Sequence, residues 1–125
     1  MTIKRITNEQ VQEPPPGSFS NCLLVGNQIF ISGMVGEGSD AYEQARNIFA
    51  KFQHMMETAG GSMADIVKFT VFLTDIKDRP RIHKARQEFF EGDFPTSTLI
   101  EISKLVQPKY CVEIEAIGVI GASKE

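Results

Sequence analysis

The spacing of apolar residues predicts an α+β fold, a mixed β-sheet with two helices on one face, in the order β-β-α-β-α-β-β. Three observations lead there. Two segments carry apolar residues at helical spacing, and short β-prone runs surround them. One of those runs, Ile66–Leu73, is apolar on both faces, which suits a central strand covered on both sides. The chain has 125 residues at 42% hydrophobic content, one domain's worth (residues 1–125), with enough apolar material for a core without disulfides or metal.

Residues 1–19 read as an arm in which Ile3 and Ile6 can add a short edge strand. Pro14, Pro15 and Pro16 then impose extended backbone and Gly17 releases it. Cys22–Val25 and Gln28–Ile31, separated by Gly26-Asn27, read as a hairpin. The glycines Gly33, Gly36 and Gly38 mark a loop or a close approach of backbone to something else. Asp40–Ala59 is the clearest helix. Ala41, Ala45, Ile48, Phe49, Phe52, Met55 and Met56 share one side, Ser39 or Asp40 is positioned to cap it, and Gly60-Gly61 stops it. A turn over Ser62–Asp65 leads into the strand Ile66–Leu73. A second helix is predicted over Arg81–Phe90, with Asp78 as its cap, Pro80 in its first turn and Gly92 as its end. The stretch Phe94–Val119 holds two extended runs around a short turn region. Alternation places Thr98, Ile100 and Ile102 opposite Leu99 and Glu101, and Val112, Ile114 and Ala116 opposite Glu113 and Glu115. With both helices on one sheet face, the other face needs a cover. In so short a chain that cover is another subunit, so a homo-oligomer is expected.

Composition narrows the function classes. The formal charge of −3, from 13 basic and 16 acidic residues, gives no clustered Lys and Arg for a nucleic-acid backbone. Cys22 and Cys111 are too few for a disulfide framework and read first as small core hydrophobes. No apolar run approaches the roughly 18 residues that span a bilayer, and the N-terminal stretch has no apolar signal core. The expected location is the cytoplasm, with no membrane partner.

No dinucleotide, phosphate-loop, zinc-protease, CxxC or GxSxG motif is present. His54 and His83 are isolated on separate helices, which argues against a metal site. The polar candidates for chemistry are Ser32, Arg86, Ser97, Thr98, Glu101, Glu113 and Glu115. A strand glutamate normally faces water or a cation. Desolvated at a subunit interface, its pKa would rise from about 4.3 toward 6–7, where it can both accept and donate protons. Ser32, beside a glycine after a strand, reads as structural or as a polar contact.

Taken together, GSFSNCLLVGNQIFISG, Gln44-Ala45-Arg46 with the helix that follows, AGGSMADIVKFTVFLTDI, the EFF and FPTST pieces, and VEIEAIGV resemble the RidA/YjgF family of reactive-intermediate deaminases over nearly the whole chain. The resemblance implies a chorismate-mutase-like fold and a homotrimer with clefts between subunits. It also implies hydrolysis of enamines and imines, such as 2-aminoacrylate, to a 2-oxo acid and ammonia without cofactor or metal. On it, Glu113 handles the water, Ser32 contacts substrate, Leu99 offers backbone groups, and Phe19 stands for the usual tyrosine.

This chain departs from the family pattern where substrate is held. Pro95-Thr96-Ser97-Thr98 stands in place of PAR(S/T), so Ser97 occupies the position of the arginine that grips the substrate carboxylate, with Thr98 beside it. Losing such a desolvated pair costs on the order of 2–5 kcal/mol. Met34 replaces the usual glutamine, and the loop Gly36–Asp40 is short. Arg86 or Arg81 is a possible replacement for the missing cation. The resemblance thus implies a deaminase of another enamine or imine, 2-aminomuconate-like compounds included. The alternative is a non-catalytic homotrimer that binds a small metabolite or a protein. An endoribonuclease, ascribed to some relatives, fits least with an acidic chain lacking a basic stripe.

Overall fold

A computed structural model describes residues 2–124. Six strands form one sheet: β1 (Ile3–Arg5), β2 (Cys22–Val25), β3 (Gln28–Met34), β4 (Ile66–Leu73), β5 (Thr96–Glu101) and β6 (Val112–Val119). Their order across the sheet is β1-β2-β3-β6-β4-β5. Among the described residues only the β4–β5 pair is parallel, and its crossover is the second helix, α2 (Arg79–Phe89); the first helix, α1 (Ala41–Thr58), joins β3 to β4. The expected mixed sheet is present, and the N-terminal arm supplies its edge strand as anticipated.

Local chemistry accounts for both helices. The Asp40 side chain accepts from the Glu43 amide at 2.9 Å, while the Glu43 carboxylate reaches back to the Ser39 amide at 2.7 Å. At the other end the Gly61 amide donates to the Met56 carbonyl at 2.8 Å, with Gly60 at a φ of +90°. The second helix departs from expectation. Asp78 makes no side-chain cap; instead Asp75 accepts from the Lys77 amide at 2.9 Å and starts a 3-10 turn over Ile76–Asp78 that runs directly into α2. α2 therefore starts at Arg79, two residues earlier than its apolar stripe indicates. It stops because Phe90 turns extended (φ −133°) to bury its ring, before Gly92 is reached.

The core lies between the helices and one sheet face. Phe49, Phe52 and Phe69 are fully buried and in mutual ring contact, and the Phe90 ring closes the cluster at 5.3 Å from Phe69 and 5.7 Å from Phe49. Buried Gln44 ties the connection before β6 to α1. Its carbonyl accepts from the Cys111 amide at 2.9 Å, and its amide donates to the Lys109 and Gly38 carbonyls at 3.0 and 3.2 Å. Asp65, also buried, accepts from the amides of Ser62, Gly121 and Ser123 and so anchors the C-terminal segment.

The two runs of Phe94–Val119 are not neighbours: β4 lies between β5 and β6, and residues 102–111 form a long connection rather than a short turn. The alternation within each run is as expected. Ile114 and Ala116 face the helices, and Glu113 and Glu115 face away. Ser32 and Gly33 lie inside β3 rather than in a loop after it. Cys22 is buried, and burial pushes its thiol pKa up to about 12; Cys111 precedes β6, half-buried. The face away from the helices carries Phe30, 40% exposed, and Ile100, 42% exposed, with Ile117 and Phe72 between them. It also holds a hollow of about 240 Å³ edged by Ser32, Lys68, Thr70 and Glu115.

Candidate functional site

The sequence candidates fall into two clusters on opposite faces of the sheet. The first is built around a bulge in β3. Ile31 pairs with Ala116 and Met34 with Ile114, so Ser32 and Gly33 together oppose the single residue Glu115. The bulge turns the Ser32 amide to the Asn21 carbonyl at 2.8 Å and its hydroxyl to the Ser20 carbonyl at 2.7 Å. With its own proton committed to Ser20, the Ser32 oxygen keeps acceptor capacity on the uncovered face.

Gly33 gives Glu113 its seat. A Cβ added at Gly33 would lie 2.5 Å from Glu113 Oε2 and 3.0 Å from its Cδ, so the carboxylate rests directly on glycine backbone. Burial raises the Glu113 pKa above the usual carboxylate range, and the Glu115 carboxylate two residues along the same face adds to it. No ion pair among the described residues offsets either effect. Glu113 is thus a half-buried carboxyl with no fixed cation, suited to taking and returning a proton.

A groove of about 440 Å³ runs past the same bulge, lined by Phe19, Asn21, Gly33, Met34, Lys51 and Tyr110 among others. Phe19 is 55% exposed at its rim. Met34 borders the groove, yet at 6% exposure it belongs mainly to the hydrophobic core. The Lys51 ammonium donates to the Val35 carbonyl at 2.7 Å, and burial lowers its pKa. Tyr110 donates to Glu37 at 2.8 Å and closes the far wall.

The second cluster sits on the helix-covered face at the β5 edge. Ser97 pairs with Phe69 and so faces α2, where Arg86 Nη2 donates to Ser97 Oγ at 2.8 Å. Leu99 follows on the same face, half-buried against the core. Thr98 points the other way, level with Thr70. Arg81 stays apart, 3.7 Å from Asp78 and 4.0 Å from Asp40. Within one chain, then, Ser97 and Glu113 do not meet. They are two strands and three residues apart on opposite faces, roughly 14 Å between Cα positions at about 3.3 Å per residue and 4.8 Å per strand.

Sequence reasoning missed three participants: Ser20 as the acceptor that orients Ser32, Lys51 on the groove floor, and the Glu37–Tyr110 wall. The first depends on a bulge, which has no local signature beyond Gly33. The Glu37–Tyr110 wall depends on the path of residues 102–111, and the place of Lys51 depends on the return of the chain after β3 to α1 at Val35. Among the described residues no group of three or more His, Cys, Asp or Glu side chains is placed to hold a metal ion, and no helix is long and apolar enough to cross a membrane.

Comparison with known proteins places this geometry in context. The profile of the family described as Endoribonuclease L-PSP matches residues 10–120. The chain is 32% identical to a 2-iminobutanoate/2-iminopropanoate deaminase of Dermatophagoides farinae, over 96% of this chain and 99% of that protein. It is 34% identical to a RutC family protein of Pyrococcus abyssi, over 83% and 87% of the two chains. Among solved structures, a protein of unknown function from Pseudomonas aeruginosa superposes with a TM-score of 0.90 at 38% identity, covering 96% of this chain and 94% of that one. RidA from an Antarctic Psychrobacter superposes at 0.86 with 28% identity, covering 94% and 99%. By profile, length and fold, the chain belongs to the RidA/YjgF (endoribonuclease L-PSP) family.

Proposed function

We propose that this protein is a cofactor-independent hydrolytic deaminase of a small 2-imino or enamine acid, working as a homotrimer with its sites in the clefts between subunits. The observation that carries the reading is Glu113: a half-buried carboxyl with a raised pKa, seated on the Gly33 backbone beside Ser32. Family membership supports the reaction class, since the Dermatophagoides relative is an imine deaminase. The uncovered sheet face, with Phe30 and Ile100 exposed on a single chain, supports assembly.

Glu113 in its ionised form accepts a proton from water as the water oxygen attacks the iminium carbon. The C–O bond forms and the C=N π pair passes to nitrogen, giving a neutral carbinolamine. The protonated Glu113 then delivers that proton to nitrogen. The regenerated Glu113 carboxylate takes the hydroxyl proton as the C–N bond breaks, ammonia and a 2-oxo acid leave, and Glu113 then loses that proton to solvent. An enamine substrate enters the same path after protonation at carbon. The Ser32 oxygen and the Leu99 backbone are substrate contacts in this scheme, with Phe19 and Thr98 at the borders.

The test is a panel of imines and enamines generated in the cuvette by an amino-acid oxidase or a lyase, with ammonia as readout. The reading predicts accelerated release for at least one member, lost in Glu113→Gln. A blank panel alongside tight binding of a 2-oxo acid would instead favour a non-catalytic metabolite-binding trimer.

A further inference from the structure

Among the described residues Arg86 has no counter-ion. The ion pairs among the described residues engage Arg5, Arg46, Arg81 and Lys109 but not Arg86. Its guanidinium is half-buried, and Nε is fully shielded from solvent with no hydrogen-bond partner among the described residues. Among the described residues the one side chain it touches through a hydrogen bond is neutral Ser97, 2.8 Å from Nη2. Burial lowers the Arg86 pKa with nothing to offset it. A desolvated guanidinium is costly to hold unless an anion completes it, and its fork matches a carboxylate. Ser97 Oγ accepts from Arg86 and retains its own proton to donate to the same anion. The position in the last turn of α2 favours a cation but leaves Nε unsatisfied.

We infer that Arg86, steadied by Ser97, is the anchor for the carboxylate of the substrate, and that it serves Glu113 of a neighbouring subunit rather than its own. The second half follows from the sheet. Glu113 faces away from the helices, Ser97 faces them, and β4 with its buried Phe69 and Val71 lies between. A small imino acid does not reach around that barrier within one chain, whereas β5 is the free edge of the sheet and opens onto whatever packs there. The charge given up at position 97 in β5 is thus supplied from α2. The inference rests on the deaminase reading for the identity of the ligand, and its first test does not need turnover.

That test is calorimetric titration of the full-length protein with 2-oxobutanoate and with its uncharged amide, at fixed ionic strength. Wild type should bind the carboxylate about tenfold or more tightly than the amide. Arg86→Gln should abolish the preference, Arg86→Lys should keep part of it, and Ser97→Ala should reduce it severalfold. Glu113→Gln should leave it in place. Melting temperature and sedimentation establish that each variant is folded and assembled; should Arg86→Gln fail, Arg86→Lys and Ser97→Ala still decide the matter. A preference that survives these substitutions, or none in wild type, overturns the anchor. A carboxylate preference without ammonia release would overturn the deaminase reading while supporting the anchor. For the subunit assignment, Glu113→Gln and Arg86→Gln chains are co-expressed. Mixed trimers should regain about one quarter of wild-type turnover, because some clefts then combine two intact residues. No recovery over the two parents would place both groups in one chain's site and overturn it.

Discussion

Gly33→Ala is the sharpest probe of how Glu113 is held. The new methyl would sit 2.5 Å from Glu113 Oε2, whereas ordinary contact begins near 3.4 Å, so the carboxylate must withdraw by about 1 Å. Gly33 has no positive φ, so alanine suits the backbone and the effect is confined to that contact. The atom that must move is the end of a flexible side chain. The folding cost therefore falls at the low end of overpacking, about 1 kcal/mol or a few degrees of melting temperature. Function should suffer more: a reacting group misplaced by about 1 Å can cost on the order of 100-fold. The displaced carboxyl is also better solvated, so its pKa should return toward the ordinary range. A carboxyl serves as a base only when ionised, so, with Glu113 in the proposed role, the acid limb of the kcat/KM profile should move to lower pH in the variant. The assay is ammonia release from an imine generated in situ, across pH, with melting and sedimentation as controls. A Gly33→Ala protein with wild-type turnover and an unmoved acid limb would refute the proposed seating of Glu113.

Three further outcomes follow from the same structure. A raised folded-state pKa means that the ionised Glu113 costs the fold stability, fully so above that pKa and not at all below the unfolded value; Glu113→Gln should therefore melt higher than wild type at pH 7–8, with the gain vanishing in acid. Burial raises the pKa of Asp65, but the hydrogen bonds from Ser123, Gly121 and Ser62 outweigh it and hold the carboxyl below its usual value. Its contribution is thus present above the unfolded pKa and lost as pH falls through the folded one, and Asp65→Ala should cost about 1–3 kcal/mol in neutral urea unfolding and much less in acid. Gln44→Leu should cost about 2 kcal/mol or more and raise hydrogen exchange at the Cys111 amide, because the bonded groups of residues 38, 109 and 111 lose their partner.

Much of the fold is legible in the residues because one periodic pattern fixes each element. The Ala41-to-Met56 stripe gives α1, the β-branched Ile66–Leu73 run gives β4, and strict alternation gives the two faces of β6. Sheet order is not local information. That β4 separates β5 from β6 depends on a crossover through α2 and a long return over residues 102–111, and no turn signal encodes either. The early start of α2 was hidden because its first turn is polar and its cap belongs to the preceding 3-10 turn at Asp75. At the site, Glu113 and Glu115 both stood out as carboxylates in an apolar strand, the family resemblance pointed to Glu113, and Gly33 was one of three glycines marking a loop or a close approach. Their mutual contact needed the β3–β6 register. Ser97 and Arg86 were each legible, the first as a departure from the family pattern and the second as a candidate replacement cation. Their hydrogen bond, and their separation from Glu113 by the thickness of the sheet, required the assembled β4–β5 pair.

The central claim, that Glu113 moves the proton in hydrolysis of an imine, is tested most directly by the rate of ammonia release from the in-situ imine or enamine of the panel that wild type accelerates most, compared between wild type and Glu113→Gln at equal concentrations of assembled protein. The account predicts acceleration by wild type and a fall of about tenfold or more in the variant, with assembly unchanged. Equal rates in the two proteins would contradict it.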